Sequence, residues 1–485
     1  MRRLTALDAQ FLYAEEMRPA AHAHTIKVSI IRMADLGDGS QPYDFEGVKN
    51  AIRRRVHLLP PFRWKLMRTP GDLHNPIWVD DQNFDLDFHI RRLGCPQPGG
   101  RRELCEVIAD ISGRPLDRSR PLWEMYVVEG MADGTIAVVV KMHHAMADGV
   151  ASSQLLDLIY DKSPEAKDIA DDDWSPAPAP SRLQLVVRSL AEVLRVVVYG
   201  IPSTIKLSFK AFKAKRRAGL DAADLPPKVF TAPPSPFNGI LTPHRRFTTL
   251  TVSMAELREI KTAFGTTIND VVLAVGAGGI RRYLLRAGRP IEAPFVGSVP
   301  ASTRQEGERP AWGNHLAVIY VNMPVDVADP VERLLAARAY ANAAKADLER
   351  TLGSRLENWI EFLPVRALKV IGGLMMTAVK AGKVSQNLII SNVPGPRERL
   401  YIDGAEVETF FSMGPLSEGV GLNITAWSYV DEMHVCLLAC RELVPDLWDL
   451  TDDLLAAFDE LLAAARAKVP ASAAAPAPAS ADATA

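Results

Sequence analysis

An apolar run that ends in two adjacent histidines constrains this chain more than any other stretch. Residues 136–140 are Ile-Ala-Val-Val-Val, and this β-branched content is typical of a buried strand. Helical spacing of apolar residues returns over 150–159, so the pattern predicts a strand, a loop and a helix. His143 and His144 lie in that loop, where a rigid scaffold presents polar side chains. Because the unperturbed pKa of imidazole is about 6.5, either histidine is a candidate general base near neutral pH.

Length and charge limit the class of protein. The 485 residues exceed what one hydrophobic core usually accommodates, so two domains are expected. The content of 48% hydrophobic and 24% charged residues is typical of a globular protein. A net charge of -2 argues against a nucleic-acid binder, so any attraction to a membrane must come from a local patch.

The cysteines and the N-terminus indicate a protein of the reducing cytoplasm. Two arginines follow Met1 with no apolar run behind them, so we expect no secretory signal. No uncharged apolar run approaches the roughly 18 residues that a spanning helix needs, which predicts a soluble or peripheral protein. The cysteines show neither a paired nor a metal-ligand spacing and are predicted to be buried free thiols. They are Cys95, Cys105, Cys436 and Cys440.

Strand and helix patterns alternate along the chain, which predicts a mixed α/β fold. Asp133-Gly134 predicts a two-residue hairpin turn between strands at 123–129 and 135–142, so the histidine loop would follow the hairpin's second strand. Another strand is expected at 88–91.

Capping and breaking residues predict the helices of the C-terminal half. Ser253 begins a capping box, and its helix should end at Gly265. Pro364 should break or kink a helix predicted over 354–383.

Composition divides the chain into four parts. Residues 161–180 are acidic and then rich in proline and alanine, a composition that cannot pack a core and that favours a linker. The predicted parts are an N-terminal subdomain with the histidine loop, 1–165; a proline-rich linker with basic amphipathic helices, 166–243; a C-terminal subdomain, 244–469; and a disordered Ala/Pro tail, 470–485.

The segment 182–217 carries nine basic residues and one acid, Glu192. Its charges recur at helical spacing, which predicts basic amphipathic helices. Such a helix can lie on an anionic membrane or a lipid droplet, and the alternative is a solvated helix packed on its own domain. The clearest basic stripe is formed by Lys206, Lys210, Lys213 and Arg217.

The histidine loop resembles a known signature. The pattern His143-His144-x-x-x-Asp148-Gly149 is similar to that of the acyl-CoA-dependent acyltransferase superfamily, which includes chloramphenicol acetyltransferases and peptide-synthetase condensation domains. Further segments in order resemble the bacterial wax ester synthase/diacylglycerol acyltransferase family, from Leu4 to about Val469. These segments are Pro121-Leu122-Trp123-Glu124, Asn269-Asp270, Ser298-Val299-Pro300-Ala301-Ser302-Thr303-Arg304, Gly313-Asn314 and Ser391-Asn392-Val393-Pro394-Gly395-Pro396.

The resemblance implies both a fold and an activity. The fold would be α/β, with two chloramphenicol-acetyltransferase-like subdomains and the active-site tunnel between them. The activity would be O-acyl transfer of a long chain from acyl-CoA to diacylglycerol, giving triacylglycerol, or to a fatty alcohol, giving a wax ester. Acyl-CoA would be a co-substrate, with no bound cofactor and no metal. We expect the protein to be cytoplasmic and peripherally associated with the inner face of the plasma membrane or with lipid droplets.

The resemblance also implies roles for the loop residues. His144 would be the general base, and His143 would support or position it. Asp148 would hold the loop through an ion pair, for which Arg304 is the expected partner by its position in the chain. Gly149 would provide backbone freedom where the loop enters the following helix.

Residues elsewhere would support the site. Asn269, in a helix's first turn, would stabilise the oxyanion or hold the site together, whereas Asp270 is equally well explained as a helix-capping charge. Trp123 is expected to be a packing anchor beneath the site, and its neighbours Pro121 and Leu122 to line the channel for the CoA thioester. The predicted supporting set also contains Asn314, Ser391 and Asn392.

Several alternatives stay open at this point. His143 and Asp148 match the spacing of glycerol-phosphate acyltransferases, although the second histidine and the downstream segments favour the first family. His144 and Asp148 lie four residues apart and could bind a metal, but no third ligand is evident. His22 and His24 are expected to be surface histidines or buried ones whose hydrogen bonds are satisfied. A carrier-protein-dependent condensation enzyme is disfavoured by the lack of carrier modules, and a non-catalytic lipid-droplet protein by the intact motif.

Overall fold

The computed structural model describes residues 2–32, 44–146, 158–165, 169–170, 172–200, 202, 227, 230–302, 313–314, 316–352 and 363–468. The strands are β1 Arg2–Arg3, β2 His24–Ile31, β3 Trp64–Met67, β4 Ile77–Asp80, β5 Ile90–Gly94, β6 Trp123–Glu129, β7 Ile136–His143, β8 Arg245–Ser253, β9 Phe295–Ser302, β10 Leu316–Met323, β11 Leu388–Val393, β12 Leu400–Ile402, β13 Ala405–Met413, β14 Leu422–Tyr429 and β15 Glu432–Cys440. The helices are α1 Ala6–Met17, α2 Phe45–Arg55, α3 Leu86–His89, α4 Arg101–Gly113, α5 Arg182–Arg195, α6 Met254–Phe264, α7 Ile268–Arg286, α8 Pro330–Leu352, α9 Val365–Lys380 and α10 Leu447–Lys468.

The strands form two six-stranded mixed sheets and one small sheet. The first sheet has the order β12-β13-β2-β7-β6-β5, and the second has the order β10-β9-β11-β14-β15-β8. The third sheet has the order β1-β4-β3 and consists of strands from the first half of the chain. Each large sheet combines parallel and antiparallel pairs, which confirms the predicted mixed α/β fold.

The strand that leads to the histidines lies in the interior of the first sheet. Every residue of β7 is buried, and the strand pairs antiparallel with β2 on one side and β6 on the other. The β-branched run therefore forms a central strand, as its composition predicts. At its end, His143 lies opposite His24, and Met142 lies opposite Trp123.

Two strands from the far end of the chain complete the first sheet. β13 pairs with β2, so that Met413 lies opposite Ile26, and β12 extends the edge. The sequence patterns had indicated no strand in this segment. The division of the chain into four parts stays a prediction, but this pairing shows that the first sheet uses residues from both halves.

Local signals locate several elements correctly. The Ser253 hydroxyl accepts the Ala255 N–H at the start of α6, and Gly265 ends that helix with a left-handed φ of 65°. Pro364 is the N-cap of α9, so the helix predicted over 354–383 does not continue through this proline, whereas its first part, 354–362, lies outside the described residues. The four cysteines are buried free thiols, as predicted.

Other local predictions were wrong. Residues 88–91 are not one strand, because Asp85 accepts the Asp87 N–H and caps α3, which precedes β5. The connection between β6 and β7 spans residues 130–135, so it is longer than the predicted two-residue turn. Helix α1 was not expected, although the Thr5 hydroxyl and the Asp8 carboxylate form a capping box at its start.

No single helix in the described ranges is long and apolar enough to cross a membrane. The bent pair Met254–Phe264 and Ile268–Arg286, at 98° to each other, passes that test together by length and composition alone.

Candidate active site

The backbone of the histidine loop is bound on both sides by neighbouring segments. The His143 N–H donates to the Leu122 carbonyl at 2.9 Å, and the His144 N–H donates to the Ala23 carbonyl at 2.7 Å. The Met146 N–H then donates to the His143 carbonyl at 2.9 Å, which turns the chain sharply after β7. The two histidines are thus fixed by residues that lie about 20 and 120 positions earlier in the sequence.

His143 is directed into the protein. Its side chain is buried, and its Nδ1 accepts the Ala145 N–H at 3.1 Å. Since Nδ1 is an acceptor, Nε2 carries the proton, and this atom lies 3.2 Å from Oε1 of Glu15. The ring therefore connects the loop backbone to a carboxylate of helix α1, a geometry that supports a positioning role.

Glu15 is a site residue that the sequence reasoning missed. Its Oε1 also accepts the Ala23 N–H at 2.7 Å, and its Oε2 pairs with Arg118 at 2.7 Å. Burial raises the pKa of Glu15, but the hydrogen bond to His143, the charges of His143 and His24, and the bond to Arg118 outweigh burial and lower the pKa below its usual range. Glu15 is consequently ionised at neutral pH.

His144 is more accessible than His143. Its side chain is half-buried, and its ring stacks on Phe11 of α1 with the centroids 4.5 Å apart and the planes inclined by 19°. One aromatic face therefore orients the imidazole while the side chain keeps partial access to solvent.

The Gly313-Asn314 segment reaches the loop from the second half of the chain. Nδ2 of Asn314 donates to the His144 carbonyl at 2.7 Å and to Oδ1 of Asp8, also at 2.7 Å. The Gly313 N–H donates to the Met146 carbonyl at 3.1 Å. This position agrees with the supporting role expected of Asn314.

Trp123 lies in the core beneath the loop, as expected. Its ring stacks between Phe62, at 4.4 Å, and His89, at 4.5 Å, and its Nε1 donates to the Phe62 carbonyl at 2.8 Å. Leu122 and Pro121 are buried as well, and the Leu122 carbonyl holds the His143 backbone. A lining role for Pro121 and Leu122 in a CoA channel stays a prediction.

The remaining predicted side chains lie in the second half of the chain. Asp270 is buried and accepts the Thr267 N–H at 2.8 Å, so it caps α7, whereas Asn269 beside it is half-buried. On β11, Ser391 hydrogen-bonds to Thr425 at 3.2 Å and Asn392 is half-buried. Among the described residues, no hydrogen bond joins these side chains to the two histidines. Three predicted residues lie outside the described ones: Asp148, Gly149 and Arg304. The expected ion pair between Asp148 and Arg304 and the backbone role of Gly149 therefore stay predictions.

A cluster below the loop contains residues that could bind a metal ion. One ligand atom each from Glu15, His22 and His24 lies within 4.8 Å of the others. However, both Glu15 oxygens already accept hydrogen bonds. Burial, and secondly the positive charge of Lys141, lower the pKa of His24 well below its usual value. His24 is buried, and neither of its ring nitrogens bonds to a described residue, so the expectation of a satisfied histidine does not hold here. Within the cluster, the rings of His22 and His24 stack with their centroids 5.2 Å apart.

Two six-stranded sheets with a paired-histidine loop at the end of a central strand define the class of chloramphenicol-acetyltransferase-like acyltransferases. Within that class, residues 4–272 match the wax ester synthase/diacylglycerol acyltransferase catalytic domain, and residues 312–462 match the C-terminal domain of the same family. The chain belongs to this family and is an acyltransferase.

Individual relatives agree with this assignment. A protein of Mycobacterium tuberculosis that carries the name diacylglycerol O-acyltransferase is 37% identical over 473 residues, which cover 96% of this chain and 98% of the relative. The solved wax ester synthase/diacylglycerol acyltransferase from Marinobacter aquaeolei is 26% identical, with a TM-score of 0.68 over 96% of this chain and 100% of that chain. The starter condensation domain of rhizomide synthetase shares the fold at 13% identity and a TM-score of 0.57, over 96% of this chain and 94% of that domain.

Proposed function

We propose that this protein transfers a long acyl chain from acyl-CoA to the hydroxyl of diacylglycerol, of a fatty alcohol, or of both. The observation that carries the proposal is the half-exposed imidazole of His144, held by Phe11 and by backbone contacts from both halves of the chain. The names of the mycobacterial relative and of the Marinobacter structure support the two acceptor classes, diacylglycerol and fatty alcohol.

In the proposed mechanism, His144 acts as the general base. Its imidazole accepts the hydroxyl proton of the acceptor while the hydroxyl oxygen attacks the thioester carbonyl carbon. The tetrahedral intermediate then collapses, the carbon–sulfur bond breaks, and the imidazolium returns the proton to the departing CoA thiolate. The acyl group thus passes directly from the CoA sulfur to the acceptor oxygen, so no covalent acyl-enzyme is needed.

The surrounding residues orient this base and stabilise charge. His143, bound to Glu15 and to the Ala145 N–H, fixes the shape of the loop that carries His144. Asn269 is proposed to stabilise the oxyanion, because it lies in the first turn of α7, where backbone N–H groups favour negative charge. Acyl-CoA is the proposed co-substrate, with no further cofactor and no metal.

We also propose peripheral attachment to the cytoplasmic face of the plasma membrane or to lipid droplets, where the acceptors dissolve. Support comes from α5, which packs inward through Leu185 and Ser189. Its opposite face is apolar and exposed, with Leu183 at 73% and Leu194 at 63% exposure. The predicted basic stripe at Lys206, Lys210, Lys213 and Arg217 lies outside the described residues.

The exposed face of α5 has the pattern of an interfacial helix. Its apolar members are spaced four, three and four residues apart, so they form one narrow stripe. These residues are Leu183, Val187, Leu190 and Leu194. The helix thus packs on its own domain and still presents an apolar surface, which favours the membrane interpretation of the segment over a fully solvated helix.

Purified protein with labelled acyl-CoA tests the activity. With diacylglycerol and a fatty alcohol in competition, wild type should form labelled ester, and His144→Ala should lose most of it, by roughly 10² to 10⁴ in rate, while acyl-CoA binding persists. With no acceptor present, the protein should stay unlabelled. A stable acyl adduct, a fully active His144→Ala variant, or transfer from carrier-bound but not free acyl thioesters would contradict the proposal.

A further inference from the structure

Helix α9 carries an exposed apolar face that no motif of the chain explains. Leu374 is 67% exposed and Val370 is 63% exposed, in a helix whose only fully buried described side chain is Val365. We define the α9 surface as Val370, Ile371, Leu374 and Met375, all of which are exposed. Four large apolar side chains on one helix face form a contiguous patch rather than scattered exposure.

The opposite face of α9 packs on α1, the helix that contacts both histidines. At Gly372, a Cβ atom would lie 2.4 Å from Cε of Met17, so the two helices approach closely here. Lys369 pairs with Glu16 at 3.1 Å. Since α1 supplies Phe11 and Glu15 to the histidine loop, the α9 surface is separated from the proposed catalytic base by two helix layers, α9 and α1, a thickness of roughly 20 Å.

The two exposed apolar helices are joined through one short turn. Helix α5 contacts the turn Pro70–Asp72. From the same turn, Asp72 binds Lys369 of α9 at 2.8 Å. Although α5 and α9 are about 170 residues apart in the sequence, their positions relative to each other are thus fixed.

Charge indicates which partner fits this face. Residues 364–383 contain basic side chains and no aspartate or glutamate. Arg366, Lys380 and Lys383 are exposed, while Lys369 is engaged in ion pairs. An apolar stripe on a segment whose own charges are all basic complements an anionic lipid surface, because apolar groups enter the acyl region while cations meet the headgroups.

We propose that the α9 surface is a second lipid-docking element, which acts together with α5 and holds the lipid phase on the side of the protein where α1 packs against the histidine loop. This inference rests on the proposed lipid acceptor and deepens it. Docking there keeps the enzyme at the lipid phase in which the acceptor dissolves.

The test uses full-length protein, vesicles of phosphatidylcholine with phosphatidylglycerol, and two acceptors. One acceptor is diacylglycerol dissolved in the vesicles, and the other is a water-soluble short-chain alcohol. The variant Val370→Gln/Leu374→Gln removes the apolar stripe but keeps helix-forming side chains. The matched control is Leu335→Gln/Leu455→Gln, which changes exposed leucines on α8 and α10.

We expect the α9 variant to bind these vesicles about tenfold more weakly and to lose transfer to diacylglycerol in proportion, because two apolar side chains no longer enter the interface. Transfer to the short-chain alcohol should stay at the wild-type rate, and the control variant should match wild type throughout. Arg366→Gln/Lys380→Gln should weaken binding to the anionic vesicles only, and less at high salt.

Two results would overturn the inference. The first is vesicle binding by the α9 variant equal to that of the control. The second is a change of oligomeric state on light scattering without loss of vesicle binding, which would make the α9 surface a contact between copies of this chain. If wild type transfers no acyl group to either acceptor, the proposed function fails, and the vesicle-binding comparison still decides the role of α9.

Discussion

The histidine loop and the start of helix α7 are both held by side-chain hydrogen bonds, but their partners differ in sequence distance. At α7, Thr267 and Asp270 cap each other three residues apart. At the loop, His144 is held by Asn314, 170 residues away, and His143 by Glu15. The cap can form as soon as the helix forms, whereas the loop requires the complete tertiary structure. Substitutions at the long-range contacts of the loop should therefore cost more than substitutions at the cap.

The largest loss of stability should follow from removing Lys141 beneath the loop. Its ammonium is fully buried, pairs with Glu124 at 2.8 Å and donates to the Arg114 carbonyl at 3.2 Å. Lys141→Ala should lower the free energy of unfolding by about 3 kcal/mol or more, because Glu124 keeps a buried charge with a weaker partner. Lys49→Ala, whose partner Asp87 is exposed, should cost about 1 kcal/mol or less in the same denaturant titration. Equal losses would contradict the prediction.

Asn314→Ala should affect both stability and activity. It removes the side-chain hydrogen bond to the buried Asp8 and the one to the His144 carbonyl, so we expect about 2–3 kcal/mol of destabilisation. Ester formation should fall further than the folded fraction does, because the loop loses its contact to the second half of the chain. Gln82→Ala, which removes an exposed amide, serves as the control. Wild-type turnover by a folded Asn314→Ala protein would refute the supporting role.

Glu15→Gln should change the pH dependence of stability. The folded pKa of Glu15 is lowered, so its stabilising contribution is present above the unfolded pKa of about 4.3 and is lost as the pH falls through the folded value. Wild type should therefore exceed the variant in unfolding free energy at pH 7, and the difference should shrink on acidification below about pH 4. Glu408→Gln, at a surface pair with Arg32, should show a much smaller difference. A difference independent of pH would argue against the ionised Glu15.

The smallest effect should come from the local cap. Thr267→Ala removes one N-cap hydrogen bond and should cost about 1 kcal/mol, with little change in turnover of the folded enzyme. Ser253→Ala at the start of α6 should behave in the same way. If Thr267→Ala instead abolished ester formation at unchanged stability, the start of α7 would have a direct part in the reaction.

The contrast between local helix caps and long-range contacts also explains which features could be predicted from the sequence. The start of α6 at Ser253 and its end at Gly265 followed from capping residues, because these signals are local. The pairing of β13 with β2 has no local signal, since it depends on which edge of a sheet is free after folding. Glu15 was missed for a similar reason: in the sequence it is one charge of a segment in which no helix was expected, and its role appears only when α1 lies against His143.

The insertion of β13 next to β2 has a consequence for how the protein is made. During synthesis, β2, β7 and β6 leave the ribosome long before residue 413, so the outer edge of β2 stays unpaired while the second half is translated. An open strand edge is a template for pairing with other chains. The nascent first half therefore carries an aggregation risk that ends only when the C-terminal region returns to it. Expression of the first half alone should give insoluble protein.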